Sequence, residues 1–280
     1  MTSPEIGRTI DAGGIATNVH VSGSGDPVLL LHGSGPGVTA WANWRLTIPV
    51  LAEDFTVIAP DIVGFGYTER PGGVTYDLDT WTRHAVGVLD SLGIERAHVV
   101  GNSFGSSLAL SLAIRYPERV NRLVLMGSVG VPFTITQGLD DVWGYEPSVE
   151  NMEGLLHLFA YDQGLVGPDL GRLRYEASIR PGVQEAFAAM FPAPRQAALD
   201  AMTHPLDAIR AITKPTLIVH GRDDKVIPLQ NAYDLLHLID DAQLHVFGRC
   251  GHWTQLEHAA EFTELVTDFL QSERPGDERK

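Results

Sequence analysis

The segment Gly101-Asn102-Ser103-Phe104-Gly105 joins an apolar run at 97–101 to a helical pattern rich in small and apolar residues. Glycines two before and two after a serine suit a sharp strand-to-helix turn, where the backbone crowds itself. Such a turn lifts the serine oxygen to the end of a sheet and aims a helix N-terminus at it, where negative charge is favoured. Alone, the pattern equally describes a glycine-rich turn with an N-capping serine. Two later segments shift the balance. After an apolar run at 216–220 comes Gly221-Arg222-Asp223-Asp224, and after another at 244–247 comes Gly248-Arg249-Cys250-Gly251-His252-Trp253. Nucleophile, acid and histidine thus follow one another in chain order, each at the end of an expected strand. A serine hydroxyl is a poor nucleophile until an imidazole takes its proton, and a buried carboxylate fixes that imidazole's tautomer. The chemistry indicated is attack on a carbonyl by Ser103 with His252 as base. The acid is Asp223 or Asp224; adjacent side chains point opposite ways, and local pattern does not choose between them.

A carbonyl attacked in this way becomes an oxyanion that needs donors. Leu31-His32-Gly33-Ser34-Gly35-Pro36-Gly37 follows a further apolar run and lets backbone N–H groups approach such an oxygen. The expected donors are the N–H of Ser34 and that of Phe104, immediately after the nucleophile. No Gly-Lys-Ser/Thr follows and the loop is not G-x-G-x-x-G, so phosphate and dinucleotide binding are set aside. His32 is expected to buttress this loop. His252 and His258 are six apart, off the spacing that puts two ligands on one helical face. No metal and no cofactor are expected.

These groups need a scaffold, and short apolar runs alternating with helical patterns supply one. Strands are expected at 27–31, 55–59, 97–101, 122–126, 216–219 and 243–247, and helices at 41–52, 78–92, 104–116, 231–239 and 259–270. Several strands are apolar almost throughout, as in a parallel sheet covered by helices on both faces. The fold class is α/β, a mostly parallel sheet flanked by helices. The alternation stops over about 131–212, which is punctuated by prolines and carries more apolar residues than a solvated loop needs. Residues 131–212 are therefore expected to form a helical cap inserted between two strands of a core made of 1–130 and 213–280. The charged tail 272–280, with Pro275 and Gly276, is expected to fray.

Composition narrows the partners. The 280 residues carry a net charge of −15, with 44% hydrophobic and 20% charged residues, which fits a globular chain and disfavours nucleic acid or an anionic membrane surface. No apolar run approaches the roughly 18 residues of a membrane span, and the first eleven residues lack a signal peptide's apolar stretch. The one cysteine, Cys250, excludes a disulfide framework and suits a reducing compartment, so a cytoplasmic location is expected.

Taken together, His32-Gly33-Ser34-Gly35-Pro36-Gly37, Asp61-Ile62-Val63-Gly64-Phe65-Gly66, Gly101-Asn102-Ser103-Phe104-Gly105 and Gly251-His252-Trp253 resemble the meta-cleavage product hydrolases. These are α/β-hydrolases of bacterial aromatic degradation that cleave a carbon–carbon bond. The insert segments 173–182 and 190–195 resemble the branch acting on ring-fission products of phenol, toluene and alkylbenzenes. The likeness runs from about Gly14 to Leu270. It implies Ser103, Asp224 and His252 as the triad, so it favours Asp224 over Asp223. It implies Ser34 and Phe104 at the oxyanion hole, with Asn43, Asn102, Arg174 and Trp253 around the dienoate; Gly33 and Gly35 are further candidates for substrate contact. Tyr175 departs from relatives that carry tryptophan there. Leu139, Val142, Trp143, Leu199, Val226 and Ile227 are candidate walls of the pocket. The implied substrate is a small anionic 2-hydroxy-6-oxohexa-2,4-dienoate, and the implied assembly a homodimer or higher homo-oligomer.

Between Gly171 and Arg195 the chain carries Arg172, Arg174, Arg180 and Arg195 against Glu176 and Glu185, a local positive excess in an acidic protein. Arg172, Arg180 and Arg195 are read as a solvated helix face, and Arg174, through the resemblance, as the carboxylate's partner. The rival readings are a carboxylesterase with the same triad and a non-catalytic receptor built on the same scaffold.

Overall fold

In the computed structural model, which describes residues 3–272, the central strands of the sheet are apolar on both faces. Leu29, Leu31, Val99, Leu123, Leu125 and Ile218 face one layer of helices, and Val28, Leu30, Val57, Val100, Val124, Leu217 and Val219 face the other. Full burial of each such side chain contributes about 1.5–3 kcal/mol. The strands are β1 (Arg8–Asp11), β2 (Ala16–Ser22), β3 (Pro27–Leu31), β4 (Thr56–Pro60), β5 (Ala97–Asn102), β6 (Val120–Met126), β7 (Thr216–Gly221) and β8 (Ala242–Phe247). Their spatial order is β1-β2-β4-β3-β5-β6-β7-β8. β1 pairs antiparallel with β2 and β2 with β4, and every other pairing is parallel.

The helices are α1 (Ala40–Trp44), α2 (Ile48–Leu51), α3 (Leu78–Ser91), α4 (Phe104–Arg115), α5 (Gln137–Trp143), α6 (Val149–Phe159), α7 (Pro168–Ser178), α8 (Val183–Met190), α9 (Gln196–Asp200), α10 (Leu206–Arg210), α11 (Gln230–Leu238), α12 (Thr254–Glu257) and α13 (Ala259–Gln271). α1, α2 and α13 cover one face of the sheet; α3, α4 and α11 cover the other. The six expected strands are present. β1 and β2 had no counterpart in the sequence reading, because Thr17, Asn18 and His20 interrupt the apolar pattern of an edge ribbon. The single helix expected over 41–52 is two. Pro49 near the start of α2 has no N–H to continue the ladder from α1.

Between β6 and β7 the chain runs through α5–α10. Thr136 and Ser148 cap α5 and α6 by accepting from the Leu139 and Asn151 amides. Buried Leu139, Val142, Met152, Leu156 and Phe159 belong to the same apolar cluster as α3 and α4, so this insert has no core of its own. Of the tail expected to fray, 272–280, Ser272 is instead held by Arg122, whose Nη1 donates to Ser272 Oγ at 2.9 Å, and 273–280 lie outside the described residues.

Candidate active site

Ser103 stands at the junction of β5 and α4 with φ 55° and ψ −113°, a conformation a side chain adopts only when its surroundings impose it. The imposition is visible. A Cβ on Gly101 would lie 2.4 Å from the Gly105 carbonyl oxygen, and one on Gly105 would lie 2.3 Å from that of Leu31. The Ser103 N–H donates to Met126 O at 2.7 Å across to β6. The Phe104 ring is wholly buried against Trp81, 4.7 Å between centroids, and outside the cavity, leaving only its backbone for the chemistry.

The two candidate acids differ in burial and in partner. Asp224 is 1% exposed and its Oδ2 lies 2.7 Å from His252 Nδ1, while Oδ1 accepts from the Val226 and Ile227 amides at 2.7 and 3.0 Å. Asp223 is 31% exposed and pairs with Arg222 at the surface. Burial alone would raise the Asp224 carboxyl, but the charge and hydrogen bond of His252, with His220 and the Ile227 amide, bring it below its ordinary value. The His252 amide donates to Phe159 O at 2.7 Å, and the Phe159 ring stacks on His252 and Trp253. His220, which sequence reasoning did not single out, sits behind the acid with Nε2 3.5 Å from Asp224 Oδ2 and 3.0 Å from Ile227 O.

On the opposite side of Ser103, Asn43 Oδ1 accepts from the Gly33 amide at 3.3 Å and from Asn102 Nδ2 at 2.8 Å. His32 Nε2 accepts from the Ile62 amide, which leaves Nδ1–H to donate to Gly33 O at 2.7 Å. Burial keeps this imidazole neutral, its pKa lowered to about 4. His32 therefore props the loop from beneath as a neutral group.

One cavity of about 880 Å³ brings together Ser103, His252, Gly33, Ser34, Gly35, Asn43, Asn102, Trp253 and Arg174, with Leu139, Val142 and Val226 among its apolar walls. Three expected wall residues lie elsewhere. Trp143 is buried behind the oxyanion loop, donating from Nε1 to Ser34 Oγ at 2.9 Å and stacking on Phe191. Leu199 of α9 is wholly buried in the apolar cluster. Ile227 is wholly buried in that cluster too, and it is its amide rather than its side chain that serves Asp224. Met152, Leu156 and Phe159 of α6 supply walls that the sequence reading missed.

The arginines also sort differently from expectation. Arg172 is exposed, as a solvated face requires, and Arg195 is half-buried with Asp140 3.3 Å away. Arg180 is no solvated residue. It lines the cavity with its guanidinium carbon 3.9 Å from the Tyr67 ring centroid, a cation–π contact that a helix-face pattern cannot reveal. Arg174 lines the cavity as well, but it already holds two acceptors, Glu5 Oε1 at 2.9 Å from Nη1 and Gly37 O at Nη2. Among the described residues, no cluster of three or more His, Cys, Asp or Glu side chains is arranged to hold a metal ion. Nor is any helix long and apolar enough to cross a membrane.

A strained serine, a buried Asp–His pair and a glycine loop at the ends of parallel strands define a serine hydrolase of the α/β-hydrolase class. A family model described as alpha/beta hydrolase fold matches residues 26–151 and 175–259. The chain is 62% identical to the 2-hydroxymuconate semialdehyde hydrolase of Pseudomonas sp. strain CF600, over 96% of this chain and 95% of that protein. It is 59% identical to the 2-hydroxy-6-oxo-2,4-heptadienoate hydrolase of Pseudomonas putida strain F1, over 96% and 98%. The crystal structure of the S103A mutant of a meta-cleavage product hydrolase from Pseudomonas fluorescens IP01, complexed with acetates, superposes with a TM-score of 0.95. The two are 56% identical over 96% of this chain and 98% of that one. The chain belongs to the meta-cleavage product hydrolases, α/β-hydrolases that cleave carbon–carbon bonds.

Proposed function

We propose that this chain hydrolyses 2-hydroxy-6-oxohexa-2,4-dienoates bearing a small group on the 6-oxo carbon, giving 2-hydroxypenta-2,4-dienoate and a small carboxylic acid. The observation that carries this reading is one cavity lined both by Ser103 and His252 and by Arg174. An esterase needs the first; only an anionic substrate needs the second. The small group follows from the relatives at 62% and 59% identity, named for a semialdehyde and a heptadienoate.

The chain's groups match the steps. The dienol is first ketonised, so that the carbon leaving from C6 can depart as a stabilised dienolate. With His252 taking the proton, Ser103 Oγ or a water it activates adds to the 6-oxo carbon, and the oxyanion is received by the amides of Ser34 and Phe104. The C5–C6 bond then breaks, its electron pair becomes the C4=C5 double bond of the dienolate, and the C2 oxygen takes up a proton, C5 having gained its own on ketonisation. Where Ser103 itself has attacked, a water deprotonated by His252 then releases the acid from the acyl-serine. Asp224 keeps the His252 Nδ1 proton in place throughout. Arg174, with Gly33, Gly35, Asn43, Asn102 and Trp253 around it, holds the dienoate end, and Leu139, Val142 and Val226 shape the wall. Residues 131–212 act as a cap that keeps water from the intermediate. The enzyme works in the cytoplasm as a homodimer or higher homo-oligomer, which gel filtration with light scattering tests directly.

The decisive experiment follows the loss of visible absorbance with ring-fission products of catechol, 3-methylcatechol, 3-isopropylcatechol and 2,3-dihydroxybiphenyl, beside a neutral aryl ester. The first two should be turned over fastest. Ester hydrolysis outpacing all four would make this an esterase, and binding without turnover would make it a receptor.

A further inference from the structure

We propose that Glu5 is the positioning residue for Arg174, so that recognition of an anionic substrate depends on an N-terminal strap outside both the catalytic end and the insert. The inference rests on the reading of Arg174 as the group that binds the substrate's carboxylate. Ser3, Pro4 and Glu5 line the same cavity as Ser103. Glu5 Oε1 lies 2.9 Å from Arg174 Nη1 across 169 residues of sequence, and the two side chains are only 13% and 11% exposed. A pair so far from water is not an incidental surface contact; removing one member strands a buried charge.

The strap is itself held in place. The Glu5 carbonyl accepts from Asn18 Nδ2 at 3.0 Å and meets His20 Nε2 at 3.2 Å, both on β2. Asn18 also donates to the buried Asp61 at 2.8 Å and accepts from the Gly7 amide at 2.8 Å, tying Glu5 into the core. Behind it the Glu5 amide donates to Ser3 Oγ and the Ile6 amide to Ser3 O, closing a turn. The Glu5 carboxylate is thus preorganised by the sheet and presented to a helix of the insert.

Arg174 completes the link. Its second acceptor is Gly37 O, on the loop that carries Gly33 and Ser34. That loop meets α7 closely enough for a Cβ on Gly37 to stand 2.6 Å from the Ser178 amide nitrogen. Glu5 and Gly37 together take two of the five guanidinium N–H donors and fix the plane of the group, leaving the others for a carboxylate. Without Glu5, Arg174 keeps one anchor and a long, rotatable side chain. The ordering it then has to undergo falls on substrate binding.

The test compares Glu5→Ala, Glu5→Gln, Arg174→Gln and the Glu5→Ala/Arg174→Gln pair in the full-length enzyme, with a dienoate and a neutral aryl ester. Glu5→Ala should lower kcat/KM for the dienoate by about 10–30-fold, mostly as a raised KM. Glu5→Gln, which keeps an acceptor without the charge, should lose less. Ester hydrolysis should stay within about twofold, showing that both variants fold. The double variant should lose no more than Arg174→Gln alone, since Glu5 acts only through that arginine. A lowered KM in Glu5→Ala would show that Glu5 competes with substrate and overturn the proposal. So would an unchanged dienoate rate, or additive losses in the double variant. An unaffected Arg174→Gln would instead remove the carboxylate-binding role on which the proposal rests.

Discussion

The two ends of the cavity are built in different ways. At the sheet end, Ser103, Asp224 and His252 sit on turns that follow β5, β7 and β8, and most of their partners are main-chain groups within a few residues or on the adjoining strand. At the far wall, Arg174 of α7 meets Glu5 of the strap and Gly37 of the oxyanion loop, three segments with no shared element. The first end is a product of backbone geometry, which strands and tight turns reproduce with little freedom. The second is assembled from long side chains, which are easier to alter without disturbing the fold. On the roles proposed above, bond-making chemistry falls where geometry is most constrained, and substrate choice where it can vary.

That contrast is most sharply tested at the acid. Asp224→Asn should misorient His252 and cost roughly 10⁴ in kcat for dienoate and ester alike, by analogy with serine-protease triads. Asp223→Asn should change kcat by less than about twofold, as a surface residue does. Comparable losses in the two variants would mean that burial had not selected the acid.

At the far wall the signature is selectivity rather than general loss. Arg174→Gln should cost about 2–4 kcal/mol in kcat/KM for a dienoate, since charge-assisted hydrogen bonds contribute about 1.5–3 kcal/mol each. Some of that loss should fall on kcat, because the carboxylate is conjugated to the leaving dienolate. A neutral ester should scarcely notice the change. Equal effects on both substrates would erase the distinction between the two ends.

A third difference lies in stability. Burial lowers His32, beneath the oxyanion loop, and His84, whose Nε2 meets Thr17, to about 4. As pH falls below the unfolded value of 6.5, the unfolded chain takes up these protons first, so stability is present at neutral pH and lost between about 6.5 and 4. Asp61, raised to about 6 by burial against three N–H donors, acts in the opposite sense. Two imidazoles outweigh one carboxyl, and these three groups together should lower unfolding free energy by about 2 kcal/mol from pH 7 to pH 5. The imidazoles of His20, His204 and His220, each lowered by burial, add in the same sense. Denaturant unfolding should show the same fall in Arg174→Gln and a smaller one in His84→Gln. Were the far-wall variant to abolish it, the acid liability would not belong to the catalytic end.

The smallest loss expected from a variant at the site itself is that of Trp143→Phe. This variant keeps an aromatic ring beside Phe191 but loses the hydrogen bond to Ser34 Oγ, worth about 0.5–1.5 kcal/mol, along with some buried volume. kcat/KM should drop roughly 2–10-fold, and equally for dienoate and ester, because the oxyanion proposed to rest on the Ser34 amide is common to both. A loss confined to the dienoate would move Trp143 from the catalytic end to the recognition wall.

By itself the sequence determined the parallel core of the sheet and the turns that carry Ser103, Asp223–Asp224 and His252. These are local matters: apolar runs of strand length, and glycines where no Cβ can fit. It also carried a family likeness strong enough to point to Arg174. The tertiary structure alone decided that Asp224 rather than Asp223 is buried, that Trp143, Leu199 and Ile227 support the cavity from outside, and that Met152, Leu156 and Phe159 line it. It alone turned Arg180 inward over Tyr67 and set Glu5 against Arg174. Periodicity and turn chemistry are written within a few residues. Which long side chains meet across 169 positions depends on how the layers pack, and no spacing in the chain encodes it.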